Sequence, residues 1–143
     1  HKKFTKHELK EMTNFIKQGN TVWYGYDQDF GARRSVFAPF FGVQTATVKA
    51  AMRLPRDTGA TVVMISQFRK TDGHYNIRFS PILENLADDD DITAATRLNA
   101  QLESLIRFHP EQYLWMHRRF RSRPEGEAAF YPKKQRKKTK GIK

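Results

Sequence analysis

Cysteine is missing altogether from this 143-residue sequence. That excludes a disulfide framework and a thiolate zinc site, and it agrees with a reducing compartment. Long apolar runs are missing too. No stretch approaches the roughly 18 apolar residues of a membrane-spanning helix, so the anchor of any longer parent protein is expected outside the chain. The opening run "HKKFTKHELKE" has no initiator methionine and no signal-peptide pattern, and a fragment is expected. Acids are scarce, 15 against 26 Lys and Arg. Neither a G-x-S-x-G elbow nor a Walker phosphate loop occurs, which removes two common catalytic signatures.

What is present suits one globular domain with a real core: apolar residues make up 38% and aromatics 13%. The net charge of +11 is uneven, because "PKKQRKKTKGIK" at the end carries seven cations and no acid, leaving +4 for residues 1–131. Residues 132–143 are therefore expected to form a disordered basic tail, and 1–131 one domain. Such a tail is a solubilising terminus, or it draws the chain to anionic lipid, nucleic acid or an acidic protein.

Patterning predicts an amphipathic helix over "KHELKEMTNFIKQG", with Leu9, Met12, Phe15 and Ile16 on one face and Gly19 at its stop. A short strand is predicted at 21–25, a loop through "DQDFGARR", and a helix over 45–54 ended by Pro55 and "DTG". Residues 60–66 read as a strand buried on both faces. The alternating run at 74–82 reads as its partner, with Tyr75, Ile77 and Phe79 on one side. The clearest helix begins at Asp88 to Asp91, where acids meet the positive helix terminus. It buries Ile92, Ala95, Leu98, Leu102, Leu105 and Ile106, and Pro110 stops it. The order of elements is an α/β pattern.

Three constellations carry chemistry. Asp27 and Asp29 flank Gln28 ahead of Gly31, and paired carboxylates can bind Mg²⁺ or divide acid and base roles. An Asp-x-Asp-x-Gly loop is more often a turn whose acids accept backbone N–H bonds, and no third ligand is apparent. Phe37, Phe40 and Phe41 surround Pro39 in a segment read as a loop; they are core, or they line a pocket. Arg118, Arg119, Arg121 and Arg123 interleave with Trp115, His117 and Phe120. They suit phosphate and carboxylate groups, or they form a solvated basic face paired with Glu125 and Glu127. A hydroxyl nucleophile needs a general base held by a carboxylate. One way to supply it is a His with an acid five residues on. His1, His7, His74, His109 and His117 are followed there by Lys6, Met12, Phe79, Leu114 and Ser122. None fits.

"KQGNTVWYGYDQDFG", "SVFAPFFG", "TATVKAAMRLPRDTGATVV" and above all "PEQYLWMHRRFRSRPEGE" resemble, in order from about Lys17 to Tyr131, the C-terminal half of the late acyltransferases of bacterial lipid A biosynthesis. The resemblance implies an α/β fold of the glycerolipid-acyltransferase type, an αβα sandwich that is incomplete here. It implies transfer of a fatty acyl chain from acyl carrier protein to a hydroxyl of an acyl chain on the Kdo-modified lipid A precursor. The place would be the cytoplasmic face of the bacterial inner membrane. It also implies that a His-x-x-x-x-Asp/Glu catalytic motif and an anchoring helix precede the region seen here. Three positions depart from the family pattern: Tyr26 and Met64 stand where prolines are usual, and Pro55 stands where an ordinary helix residue is.

On this reading the expected substrate-binding residues are Asp27, Gln28, Asp29, Gly31, Phe37, Phe40, Phe41, Arg118, Arg119 and Arg121, with Asp27 and Asp29 ordering a polar turn at the mouth of an acyl pocket. The phenylalanines would face lipid. The arginines would meet phosphates and Kdo carboxylates, and basic surface would speed the encounter with acidic acyl carrier protein. Neither metal nor cofactor is expected. A rival from another class, a nucleic-acid-binding module built on "HRRFRSR" and the tail, leaves "DQDFG" and "SVFAPFFG" unexplained.

Overall fold

Helix α3, Asp91–Ile106, packs against a β-strand and a second helix. The Asp90 carboxylate caps it by accepting the N–H groups of Ile92 and Thr93 at 2.8 and 3.0 Å. Asp91 and Asp89 bind Arg56 and Arg97, so three of the four acids of the run are spent within the fold. Ala95, Leu98, Leu105 and Ile106 are buried as the spacing predicts. Ile92 is instead 58% exposed, because it sits in the first turn, short of the packed stretch. The helix also ends at Ile106, before Pro110.

The computed structural model describes residues 2–5 and 8–132. The basic tail predicted at 132–143 lies, from 133 on, outside the described residues. Around α3 are α1 (Leu9–Lys17), the hairpin β1 (Ser35–Phe40) and β2 (Val43–Val48), α2 (Ala50–Thr58), and the hairpin β3 (Ile65–Arg69) and β4 (Tyr75–Phe79). Single 3₁₀ turns lie at Ala32–Arg34, Pro110–Gln112 and Trp115–His117. Each hairpin is its own antiparallel two-stranded sheet. The architecture is mixed α/β, with α1 against α2, α2 against α3, and β1 laid along α3.

Several predicted elements are corrected. "SVFAPF" is strand β1, not loop; its Phe41–Gly42 turn has φ of 48° and 74°, the positive pair of a tight hairpin turn. Pro39 is tolerated because a two-stranded sheet has free edges, where a missing N–H breaks no ladder. The predicted helix at 45–54 is split: "VQTATV" pairs with β1, and α2 starts at Ala50. Cross-strand packing overrides the helix propensity of that run. Helix α2 runs through Pro55 to Thr58, losing only the bond that a Pro55 N–H would make, and Gly59 ends it at φ 69°.

No strand forms at 21–25, because no described neighbour pairs with it. Residues 60–66 are strand only from Ile65, and Val63 and Ile65 are 43% and 45% exposed, so burial on both faces is not found. The pairing of this segment with 75–79 is as predicted, Ile65 opposite Phe79.

Candidate functional site

The "DQDFG" loop is organised around Asp29, whose side chain is 1% exposed. Its carboxylate accepts Gly31 N–H at 2.8 Å, Ser122 N–H at 2.6 Å and the Ser122 hydroxyl at 2.9 Å. Arg121 adds a bond to the same carboxylate at 3.3 Å and one to the Asp29 carbonyl at 2.8 Å. Burial pushes this carboxyl up, but the donated bonds and the Arg121 charge outweigh it and hold it below the usual carboxylate range. Gly31, at φ 88°, supplies the backbone turn that aims its N–H at Asp29. Gln28 is exposed, whereas Asp27 is half-buried. The Tyr113 hydroxyl donates to the Asp27 carbonyl at 3.4 Å. Burial raises the Tyr113 hydroxyl pKa, and the Asp27 charge raises it further.

The arginines divide sharply in placement. Arg119 is 1% exposed: one Nη donates to the Ala46 carbonyl, and the other to Thr47 Oγ1 at 3.2 Å and Asn99 Oδ1 at 3.4 Å. Its guanidinium lies over Phe40 at 5.3 Å, and its Nε has no partner among the described residues. Burial lowers its pKa. Arg123 binds the Gln44 carbonyl at 2.6 Å and pairs with Glu127. Arg121 pairs with Asp29 and stays open to solvent on its outer side. Arg118 is exposed, stands over Tyr131 at 5.5 Å, and has a left-handed backbone at φ 48°.

Of the phenylalanines, Phe40 is wholly buried with Ile106 and Phe120, while Phe37 and Phe41 keep part of their surface. Phe41 sits at the hairpin tip, where Glu103 accepts its N–H at 2.6 Å and Arg107 lies over its ring at 5.0 Å. The structure therefore gathers Asp29, Gly31 and Arg121 into one knot, puts Phe40 and Arg119 in the core beside it, and leaves Gln28 and Arg118 at the surface.

Sequence reasoning missed a cleft of about 560 Å³ between residues 21–27 and 60–65. Its floor is Leu54, Leu98, Leu102 and Leu105, and Asp27 is its one charged lining residue. Tyr26 reaches across, donating to the Leu98 carbonyl at 2.8 Å and meeting Met64 Sδ at 3.8 Å. Tyr26 and Met64, two of the positions singled out from the sequence, thus touch. Asn99, wholly buried, was also missed; it donates to the Pro39 carbonyl at 2.9 Å and to Thr47 at 3.0 Å. A polar residue interrupting the apolar stripe of α3 was its signal.

Among the described residues no group of three or more His or acidic side chains could hold a metal ion. The one His–acid contact recorded there, His109 to Glu111 at 3.2 Å, is exposed on a 3₁₀ turn and is not part of the cleft. None of the described helices is long and apolar enough to cross a membrane.

A family profile described as bacterial lipid A biosynthesis acyltransferase matches residues 3–122. Among curated relatives, the lipid A biosynthesis lauroyltransferase of Escherichia coli K12 is 42% identical over 127 residues, covering 87% of this chain and 41% of the relative. The palmitoleoyltransferase of the same strain is 38% identical over 128 residues, covering 88% and 42%. Its myristoyltransferase is 32% identical over 127 residues, covering 88% and 39%. The chain spans about two fifths of the length of these relatives.

Proposed function

The chain belongs to the bacterial lipid A biosynthesis acyltransferases, and from that premise we propose that it forms part of an enzyme adding a fatty acyl chain to lipid A. The donor is acyl carrier protein, and the acceptor is a hydroxyl of an acyl chain on the Kdo-modified precursor. The reaction takes place at the cytoplasmic face of the inner membrane. The chain supplies part of a glycerolipid-acyltransferase-like αβα sandwich, and the catalytic His and acid come from residues outside it. The observation that carries this reading is the match through residues 3–122 to a family whose relatives bear lauroyl-, palmitoleoyl- and myristoyltransferase names.

Geometry supports a division of labour. Asp29 is a structural anchor, which leaves Asp27, half-buried at the cleft, as the acid that can serve the reaction centre. Phe37 and Phe41 keep surface for an acyl chain, with Phe40 packed against Phe41 from the core. Arg118 and the open side of Arg121 are the cations placed to meet phosphate or carboxylate groups. The nucleic-acid reading loses ground because Arg119 and Arg123 are committed to carbonyls and to Glu127 and do not form a free basic stripe.

The test is a chimera in which this chain replaces the matched portion of the Escherichia coli lauroyltransferase. It should move labelled laurate from acyl carrier protein to the Kdo-modified precursor, and the 143-residue chain alone should not. A folded chimera with no transfer would count against the acyltransferase reading. Transfer by the chain alone would refute the assignment of the general base to residues outside it.

A further inference from the structure

The cleft has walls of an unusual kind. Residues 21–26 and 59–64 run without turn or bend, and both are rich in strand-forming side chains: Val22, Trp23 and Tyr24 on one wall, Thr61, Val62 and Val63 on the other. Yet residues 21–25 make no backbone hydrogen bond to any described residue. On the opposite wall, the Val62 and Met64 carbonyls accept from Leu83 at 3.1 Å and Ser80 at 2.9 Å. Successive residues of a strand offer their backbone groups to opposite edges. With Val62 and Met64 turned toward 80–83, Thr61 and Val63 present theirs to the other edge, where nothing described pairs with them.

We propose that this cleft is an acceptor slot for an extended, uncharged apolar strand, supplied by the part of a full-length family member that the 143-residue chain does not span. The strand hydrogen-bonds to 21–25 on one side and to Thr61 and Val63 on the other, and buries its inner side chains on Leu54, Leu98, Leu102 and Leu105. The proposal rests on the family reading above for the source of the strand.

Three observations select this occupant. The lining has a single charged residue, Asp27, in a sequence that is 29% charged, so the slot takes an apolar segment. Both walls offer unmade N–H and C=O groups. An acyl chain laid there would cover those groups without bonding them, at about 1–3 kcal/mol each, whereas a strand satisfies them. The relatives are also long enough to supply one, since the chain covers only 41% of the lauroyltransferase.

The test reads amide exchange, so it is independent of catalysis. In the isolated chain, the amides of 22–25, 61 and 63 should exchange nearly as fast as unfolded ones while those of α3 are protected. Val22→Pro and Val63→Pro should leave its melting temperature within about 2 °C, because no native bond is lost. Slow exchange at these amides, or a large drop in melting temperature with either proline, would overturn the proposal.

In the lauroyltransferase chimera the same amides should slow by about 100-fold or more, and Val63→Pro should reverse this. Fast exchange there, with α3 protected, would also overturn it. So would protection of the isolated chain by added laurate, which would make the cleft an acyl site, or protection that rises with chain concentration as a dimer forms, which would make the occupant a second copy.

Discussion

Two β-hairpins flank the helices in opposite condition. β1–β2 is fastened from every side: Glu103 holds its tip, Asn99 and Arg119 bond its carbonyls, and Arg123 binds Gln44. Phe40 and Ala38 are wholly buried beneath it. β3–β4 pairs as well along its own ladder, yet Tyr75, Ile77 and Phe79 are 58%, 60% and 67% exposed. Ladder hydrogen bonds do not separate the two; what packs on their faces does. A hairpin alone is marginal in water, so the first has its partner within the chain, while the second, beside the open cleft, carries its apolar face uncovered.

The contrast can be broken most severely at Arg119. Arg119→Met should cost about 3 kcal/mol in urea unfolding, since it strips donors from a buried site. Arg119→Lys should recover only part, because a point-like ammonium cannot serve Ala46, Thr47 and Asn99 together.

Asp29→Asn comes next, at about 2 kcal/mol near neutral pH. Its sign with pH follows from the depressed native pKa. The contribution is complete above the unfolded carboxylate value of about 4 and fades as pH falls through the native value. Melting curves of the parent should therefore steepen their fall in acid, and those of the Asn variant should not show that component.

Smaller still is the pair Tyr26 and Met64. Tyr26→Phe and Met64→Leu, made singly and together, should show a coupling of about 0.5 kcal/mol in a double-mutant cycle. Strict additivity would mean that the 3.8 Å contact carries no energy. On the open hairpin, Ile77→Thr and Phe79→Thr should stay within about 0.5 kcal/mol of the parent; a larger loss would show that this face is covered after all.

Local signals made part of this molecule legible. The acidic cap of α3, most of its apolar spacing, the Gly19 stop and the pairing of β3 with β4 are short-range features, and they are found as read. Hairpin β1–β2 was hidden because its turn is Phe-Gly, without the Asn or Asp that usually announces one, and because Pro39 speaks against a strand.

The site was legible in kind more than in role. Asp29 and Arg121 looked like independent candidates for ligands, yet they bond each other across 92 positions, which no periodicity encodes. The missing strand at 21–25 has the same cause in reverse: its β-forming residues are real, but a strand exists only beside another.

The clasp of Arg121 and Ser122 on Asp29 also orders events in time. Its bonds join residues 92 and 93 positions apart, and contacts so distant in sequence close late in folding. During synthesis the "DQDFG" loop leaves the ribosome long before Arg119, Arg121 and Ser122 do. Until then the loop has no anchor and β2 lacks the guanidinium that binds it. A nascent chain halted short of residue 119 should hold its helices and still lack an ordered loop.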